Sequence, residues 1–241
     1  MKRIFTLLLL VGLLMPATYA QKGLHLGANF MSLSSSIVNQ NTWGNGREYD
    51  YKVSFNSSFG FDVGYHFNDR IGIYTGYWFT NFGQGYTDSY DGSDYERTLK
   101  LKYNVIPVML RFASSENRVN FIGGVGILFA MMNKAEQEWL RDGAAYNENF
   151  ENPITGKEFN IGATDVTDRY GKSDIILNIE LGARIFILDE LYVDATINGG
   201  YGVNDINAAD WQIENNDGEY NPSHNVYGGF KVGVAYVLFG E

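Results

Sequence analysis

From Phe55 to Phe67 the chain alternates with a period of two. Phe55, Ser57, Phe59, Phe61, Val63, Tyr65 and Phe67 form one series; Asn56, Ser58, Gly60, Asp62, Gly64 and His66 form the other. Only an extended strand sorts side chains this way, because successive residues of a strand point to opposite faces. The pattern returns in Asp174 to Ile187, Leu191 to Val203 and His224 to Leu238. Shorter versions occupy Leu24 to Leu33, Ile71 to Phe82, Thr98 to Ala113 and Arg118 to Met132. Eight strands are expected.

Their connections alternate in length. Segments 34–54, 83–97, 133–172 and 204–223 hold 21, 15, 40 and 20 residues, whereas 68–70, 114–117 and 188–190 hold 3, 4 and 3. Every long connection therefore falls on one end of the sheet. Short turns at one end, long loops at the other and an even strand number are the marks of a transmembrane barrel with periplasmic turns and extracellular loops. Most of these segments exceed the roughly 9–11 tilted residues that cross a bilayer.

The amino terminus agrees with export. Lys2 and Arg3 precede an apolar run, Ile4 to Leu14, and Thr18 and Ala20 place small residues before a cleavage point. Residues 1–20 read as a signal peptide and 21–241 as the barrel domain. No later stretch approaches a membrane-spanning helix, so a membrane location requires a barrel, the other structure that satisfies its own backbone in lipid.

A soluble barrel also has eight antiparallel strands but turns its apolar face inward. The polar face decides against it. Gly60, Gly64, Gly72, Gly76, Gly124 and Gly182 all lie there, and a narrow lumen needs small residues where a solvated face does not. Asp62, Glu180, Arg184, Asp194 and Lys231 share that face and are expected to neutralise one another inside. Eight strands leave no open aqueous channel. In Thr98 to Ala113 the apolar phase slips at Pro107, leaving Arg111 opposite Val108, Leu110 and Phe112; a bulge near Pro107 is the expected repair.

The Ala20-Gln21 junction, the segment Tyr103-Asn104-Val105-Ile106-Pro107-Val108-Met109-Leu110, the run Gly123-Gly124-Val125-Gly126 and the final strand Lys231 to Phe239 resemble the Bacteroidetes outer-membrane β-barrel family, often grouped as PorT-like. The resemblance spans the mature chain. It implies an eight-stranded up-and-down barrel in the outer membrane, surrounded by membrane lipid and lipopolysaccharide and inserted by the barrel assembly machinery. One branch is associated with a secretion system, which implies a possible envelope protein partner.

Charge and loop composition bear on what such a barrel does. A net charge of −10 argues against a nucleic-acid partner, since phosphate binding needs clustered Lys and Arg. No Cys is present, which removes disulfides, thiolate metal sites and a cysteine nucleophile. Most of the negative charge lies in the long connections: segment 204–223 holds Asp205, Asp210, Glu214, Asp217 and Glu219 with no Lys or Arg. That loop reads either as a divalent-cation or lipopolysaccharide contact or as a solvated, repulsive surface. Asp88 to Glu96 has a loosely calcium-like spacing without the full loop pattern. In 133–172 a short helix is expected over Lys134 to Leu140, and Trp139, Tyr146, Phe150, Phe159 and Tyr170 are candidates for an interface or for packing on the barrel mouth.

Some eight-stranded outer-membrane barrels modify lipid A with a His and a nucleophile or acid. Here only His25, His66 and His224 exist, the first two at the short-turn end, and no nucleophile elbow, zinc-helix, phosphate-loop or dinucleotide motif occurs. The expectation is a non-enzymatic barrel with no cofactor, metal or catalytic residue, whose acidic and aromatic loops meet a surface component. The alternatives are an accessory subunit of an envelope or secretion complex and a lipid A-modifying enzyme.

Overall fold

The computed structural model describes residues 22–39, 50–114, 118–214 and 218–238. The signal segment, residues 40–49 of the first long connection and Asp217 lie outside them. Eight long strands carry the fold: β1 (Gly23–Asn39), β2 (Ser54–His66), β3 (Ile71–Tyr90), β4 (Ser93–Ala113), β5 (Val119–Arg141), β6 (Ser173–Phe186), β7 (Leu191–Gly202) and β8 (Ser223–Leu238). Each pairs antiparallel with its chain neighbours, and β8 returns to pair with β1, Leu24 facing Leu238 and Asn39 facing Ser223. The sheet is thus a closed up-and-down ring without an edge. Among the described residues no helix is long and apolar enough to cross a membrane.

The outer wall is apolar. Phe55, Phe61, Phe121, Leu181 and Ile197 are 61–81% exposed, a degree of apolar exposure that water does not tolerate over a continuous surface and lipid does. Inside, Gly60 and Gly124 supply room: a Cβ on Gly60 would stand 2.2 Å from Trp78 Cδ1, and one on Gly124 would stand 2.8 Å from a Glu180 carboxylate oxygen.

Most of the strands are longer than the roughly 9–11 residues that cross a bilayer, and along β4 the polarity inverts partway. Along β4 the outward residues nearer the short turns are Ile106, Val108, Leu110 and Phe112, all exposed; nearer the loops they are Lys100, Lys102 and Asn104. The inward residues change in the opposite sense, from Arg111 to Leu99, Leu101, Tyr103 and Val105, all buried. Opposite them on β3, Phe82 is buried within the same apolar cluster, with Leu33 and Ile37 of β1 and Tyr227 of β8. The lower storey is therefore apolar outside with polar residues inside. The upper storey is built as a soluble barrel is. On its outer wall Lys102 and Lys134 both reach Glu136, at 2.6 and 2.7 Å.

This inversion explains where the sequence reading departs from the fold. The apparent phase slip in β4 is a change of solvent with no change of register: inward and outward residues alternate unbroken through Pro107, and the β3–β4 pairing keeps its register on both sides of it, Thr75 facing Val108 and Trp78 facing Val105. The bulge lies on β5 instead. Tyr103 faces Met132 while Lys102 faces Lys134, so Asn133 is the additional residue and the inward series shifts from Leu128 and Ala130 to Ala135 and Gln137. The helix expected over Lys134 to Leu140 is strand, held by its ladder to β4. Segment 83–97 is no loop either: β3 and β4 continue to a two-residue turn, Asp91-Gly92, with φ of 50° and 77°. A second such turn at Asp142-Gly143, φ 50° and 76°, ends β5. Asp-Gly is the pair that accepts two positive φ values in a tight hairpin. β1 likewise extends six residues beyond the expected Leu33.

Two outcomes follow. Ile179→Arg, on the lipid face of β6, should destabilise the barrel by roughly 2–4 kcal/mol in urea titrations in bilayers, whereas Thr98→Arg on the upper outer wall should change stability by less than about 0.5 kcal/mol. Lys102, then Lys134, hold the exposed Glu136 carboxyl down to about 2. Its ionised form therefore favours the folded state fully above the ordinary carboxylate range and loses that effect as pH falls toward 2. Carboxylate NMR titration should place its midpoint at about 2.

Candidate functional site

The lumen is filled by a charge cluster in the lower storey. Arg184 on β6 donates to both carboxylate oxygens of Asp194 on β7, at 2.8 and 3.0 Å, and to the Tyr74 hydroxyl at 3.2 Å. Its guanidinium lies 3.8 Å from the centre of the Tyr192 ring. Glu180 accepts from Arg111 of β4 through two nitrogens and from Lys231 of β8 at 2.6 Å. Asp62 accepts from Trp78 Nε1 at 2.7 Å and from Asn29 at 2.8 Å. Three acids, Asp62, Glu180 and Asp194, stand with three bases, Arg111, Arg184 and Lys231, so the cluster is neutral. Buried ions must be paired to be tolerated, and ring closure is what brings ions from five strands within reach.

Below this cluster Phe186, Tyr192 and Val237 close the short-turn end, and above it lies the apolar core of the upper storey. A gap beside the network, lined in part by Asn29, Asp62 and Arg111, measures about 20 Å³. That is room for about one water. Arg111 was missing from the charges read from the sequence. Its signal was there: the other five sum to −1, and Arg111 is in phase with the buried Leu101 and Met109.

The loops form an ordered cap. Val166 and Tyr170 of the 142–172 segment and Ile206 of the last long loop are buried in the upper core. Phe150 is 41% exposed and stacks on Phe159, whose ring meets Trp211 edge-on at 4.9 Å. Trp139 lies in the mouth, 5.4 Å from the Arg97 guanidinium. Tyr146 sits against Tyr95 and donates to Glu148, which pushes its phenol up to about 12. Asp205 is a staple: it accepts from the Tyr220 hydroxyl at 2.5 Å, from Gln212 at 2.9 Å and from the backbone N–H groups of Asn207 and Ser223. Burial and this carboxylate both raise the Tyr220 phenol. Asp210, Glu214 and Glu219 are exposed. The acids of Asp88 to Glu96 are spread along the β3–β4 hairpin, and among the described residues no three acidic or His side chains gather as a metal ion requires.

His25 and His66 lie together at the short-turn end, and His224 stands apart at the loop end. His25 Nδ1 pairs with the Tyr192 hydroxyl at 2.8 Å, and the His66 ring lies 4.6 Å from His25 with neither nitrogen hydrogen-bonded. His224 Nδ1 meets the Asn204 carbonyl at 3.1 Å and its ring stacks on Tyr201.

The chain belongs to the family described as the outer membrane protein beta-barrel domain, whose model matches residues 16–206. No curated protein sequence matches it. Among solved structures it is similar to neisserial surface protein A, at 12% identity and TM-score 0.48, over 90% of this chain and 98% of that one. It is also similar to OprG from Pseudomonas aeruginosa, at 10% identity and TM-score 0.47, over 92% and 99%. A third is the outer membrane protease OmpT from Escherichia coli, at 11% identity and TM-score 0.38, over 93% and 99%. The molecule is an eight-stranded outer-membrane β-barrel.

Arg184→Met leaves Asp194 buried without its cation and should destabilise the barrel by about 3–5 kcal/mol. The double variant Arg184→Met/Asp194→Leu should recover most of that loss, as removal of a whole buried pair does. Denaturant midpoints of the refolded proteins measure both.

Proposed function

We propose that this protein is a non-enzymatic outer-membrane barrel whose extracellular cap recognises a component of the cell surface or its surroundings. The observation that supports this reading best is the division of the molecule. The lumen is filled by a neutral ion cluster and closed at the short-turn end, while the loop end is a folded surface anchored by Val166, Tyr170 and Ile206. A filled lumen argues against transport, and order in loops that bury their own side chains argues against a passive connector. Neither His66 nor His224 carries a carboxylate on a ring nitrogen, which argues against an acid–His–nucleophile relay. Cleavage of residues 1–20, insertion by the barrel assembly machinery, and lipid and lipopolysaccharide neighbours belong to the same proposal.

The test combines three measurements. Planar bilayers containing the protein should show no porin-sized conductance, and such conductance would overturn the reading. Lipid A masses should be unchanged on overexpression, with His224→Ala indistinguishable from wild type. A photocrosslinker at Phe150 should capture a surface component in intact cells. A stoichiometric envelope protein captured there favours the accessory-subunit reading; lipopolysaccharide alone favours a self-standing surface barrel.

A further inference from the structure

The mouth of the barrel holds a cavity of about 430 Å³ between the upper strands and the cap. Two arginines line it, and each is flanked by aromatic rings. Arg97 of β4 lies 5.5 Å from the centre of the Tyr86 ring and 5.4 Å from that of Trp139. Arg169 of the cap lies 5.0 Å from Phe159 and 4.6 Å from Trp211.

What distinguishes this pair is that neither guanidinium is bonded to a carboxylate, although Asp168 stands beside Arg169 in the chain and partly offsets its charge. Every lumen cation bonds a carboxylate. Arg97 instead donates to the neutral Gln137 at 3.1 Å and to the Tyr170 hydroxyl at 3.2 Å, and its Nε is buried with no hydrogen-bond partner. Arg169 donates to the backbone carbonyl of Asn160 at 3.0 Å. Among the described residues no carboxylate forms an ion pair with either, although segment 133–172 alone holds eight acidic residues. Burial first, and then the charge of Arg97, work against the ionised form of Arg169. Two partly desolvated like charges facing one cavity are unfavourable until an anion joins them, and guanidinium forks bind carboxylate, sulfate and phosphate oxygens in pairs.

We propose that this cavity is a binding site for a small organic anion, in which an acidic group bonded by Arg97 and Arg169 is attached to a ring whose face packs on the cavity's aromatic side chains. The volume falls within the range of ordinary small-ligand pockets, roughly 300–1,000 Å³. The inference deepens the recognition reading and rests on it. Acidic sugars and aromatic acids share the required chemistry, and the two are told apart by titration.

The full barrel, folded in detergent micelles, is titrated with glucuronate and with benzoate at constant ionic strength. Intrinsic fluorescence is the readout, since Trp139 and Trp211 both line the cavity. Glucose, benzyl alcohol and inorganic phosphate are the controls, each lacking either the charge or the ring. Saturable binding of one acid, at least tenfold tighter than its neutral counterpart and than phosphate, is expected and identifies the source. Arg97→Gln and Arg169→Gln should each weaken it at least tenfold, and Lys157→Gln, at an exposed loop position, should leave it unchanged. Equal affinity for charged and neutral probes, or no saturation, overturns the proposal on the unmodified protein alone, whatever the variants do. That failure is distinct from failure of the recognition reading, which porin-sized conductance would bring about with this pocket intact.

Discussion

Closure of the sheet on itself is the constraint from which the remaining features follow. In hydrocarbon a strand has no water to satisfy its N–H and C=O groups, so every strand must have two partners, and the β8–β1 pairing supplies the last of them. A ring of eight strands encloses a space only just wide enough for side chains. The inward positions must then be small, as at Gly60 and Gly124, or must fill the lumen, as Trp78, Arg184 and Tyr192 do. Charges placed there have no solvent and must cancel. The three acids and three bases do so across five strands, β1 and β3 adding the Asn29 and Trp78 donors to Asp62.

The same strands serve two surroundings. Along β4 the apolar residues face outward below Asn104 and inward above it. The upper storey therefore has a core of its own, and loop residues such as Val166 and Ile206 join it as they would the core of a soluble protein. A loop held this way has a defined shape, which is what allows Phe159, Arg169 and Trp211 to be presented at fixed distances above Arg97 and Trp139. The proposed recognition surface thus stands on a folded upper storey, while the lower storey carries the lipid-facing wall.

Much of this was legible in the sequence, and the losses have physical causes. The period-two series in β2, β6, β7 and β8 placed both faces of those strands, because one solvent lies on each side along most of their length. Asp62, Glu180, Arg184, Asp194 and Lys231 came from that alternation. Apolar residues change face midway along β4 with no change of register, which imitated a bulge at Pro107, while β5 shifts its inward series at the Asn133 bulge, and its upper end read as a helix over Lys134 to Leu140. The Asp91-Gly92 and Asp142-Gly143 turns carried a readable hairpin signal that the acidic composition around them obscured. Arg97 and Arg169 are 72 residues apart, and their meeting depends on the course of the cap. No local pattern announces it.

The division into two storeys is most directly tested by spin labels placed singly at outward positions along β4 in bilayers. Labels at 106, 108, 110 and 112 should be relaxed by oxygen, which partitions into lipid, and labels at 98, 100, 102 and 104 by a water-soluble nickel chelate, with the crossover between 104 and 106. Oxygen-dominated relaxation continuing to residue 98 would place the upper storey in the membrane and contradict the account.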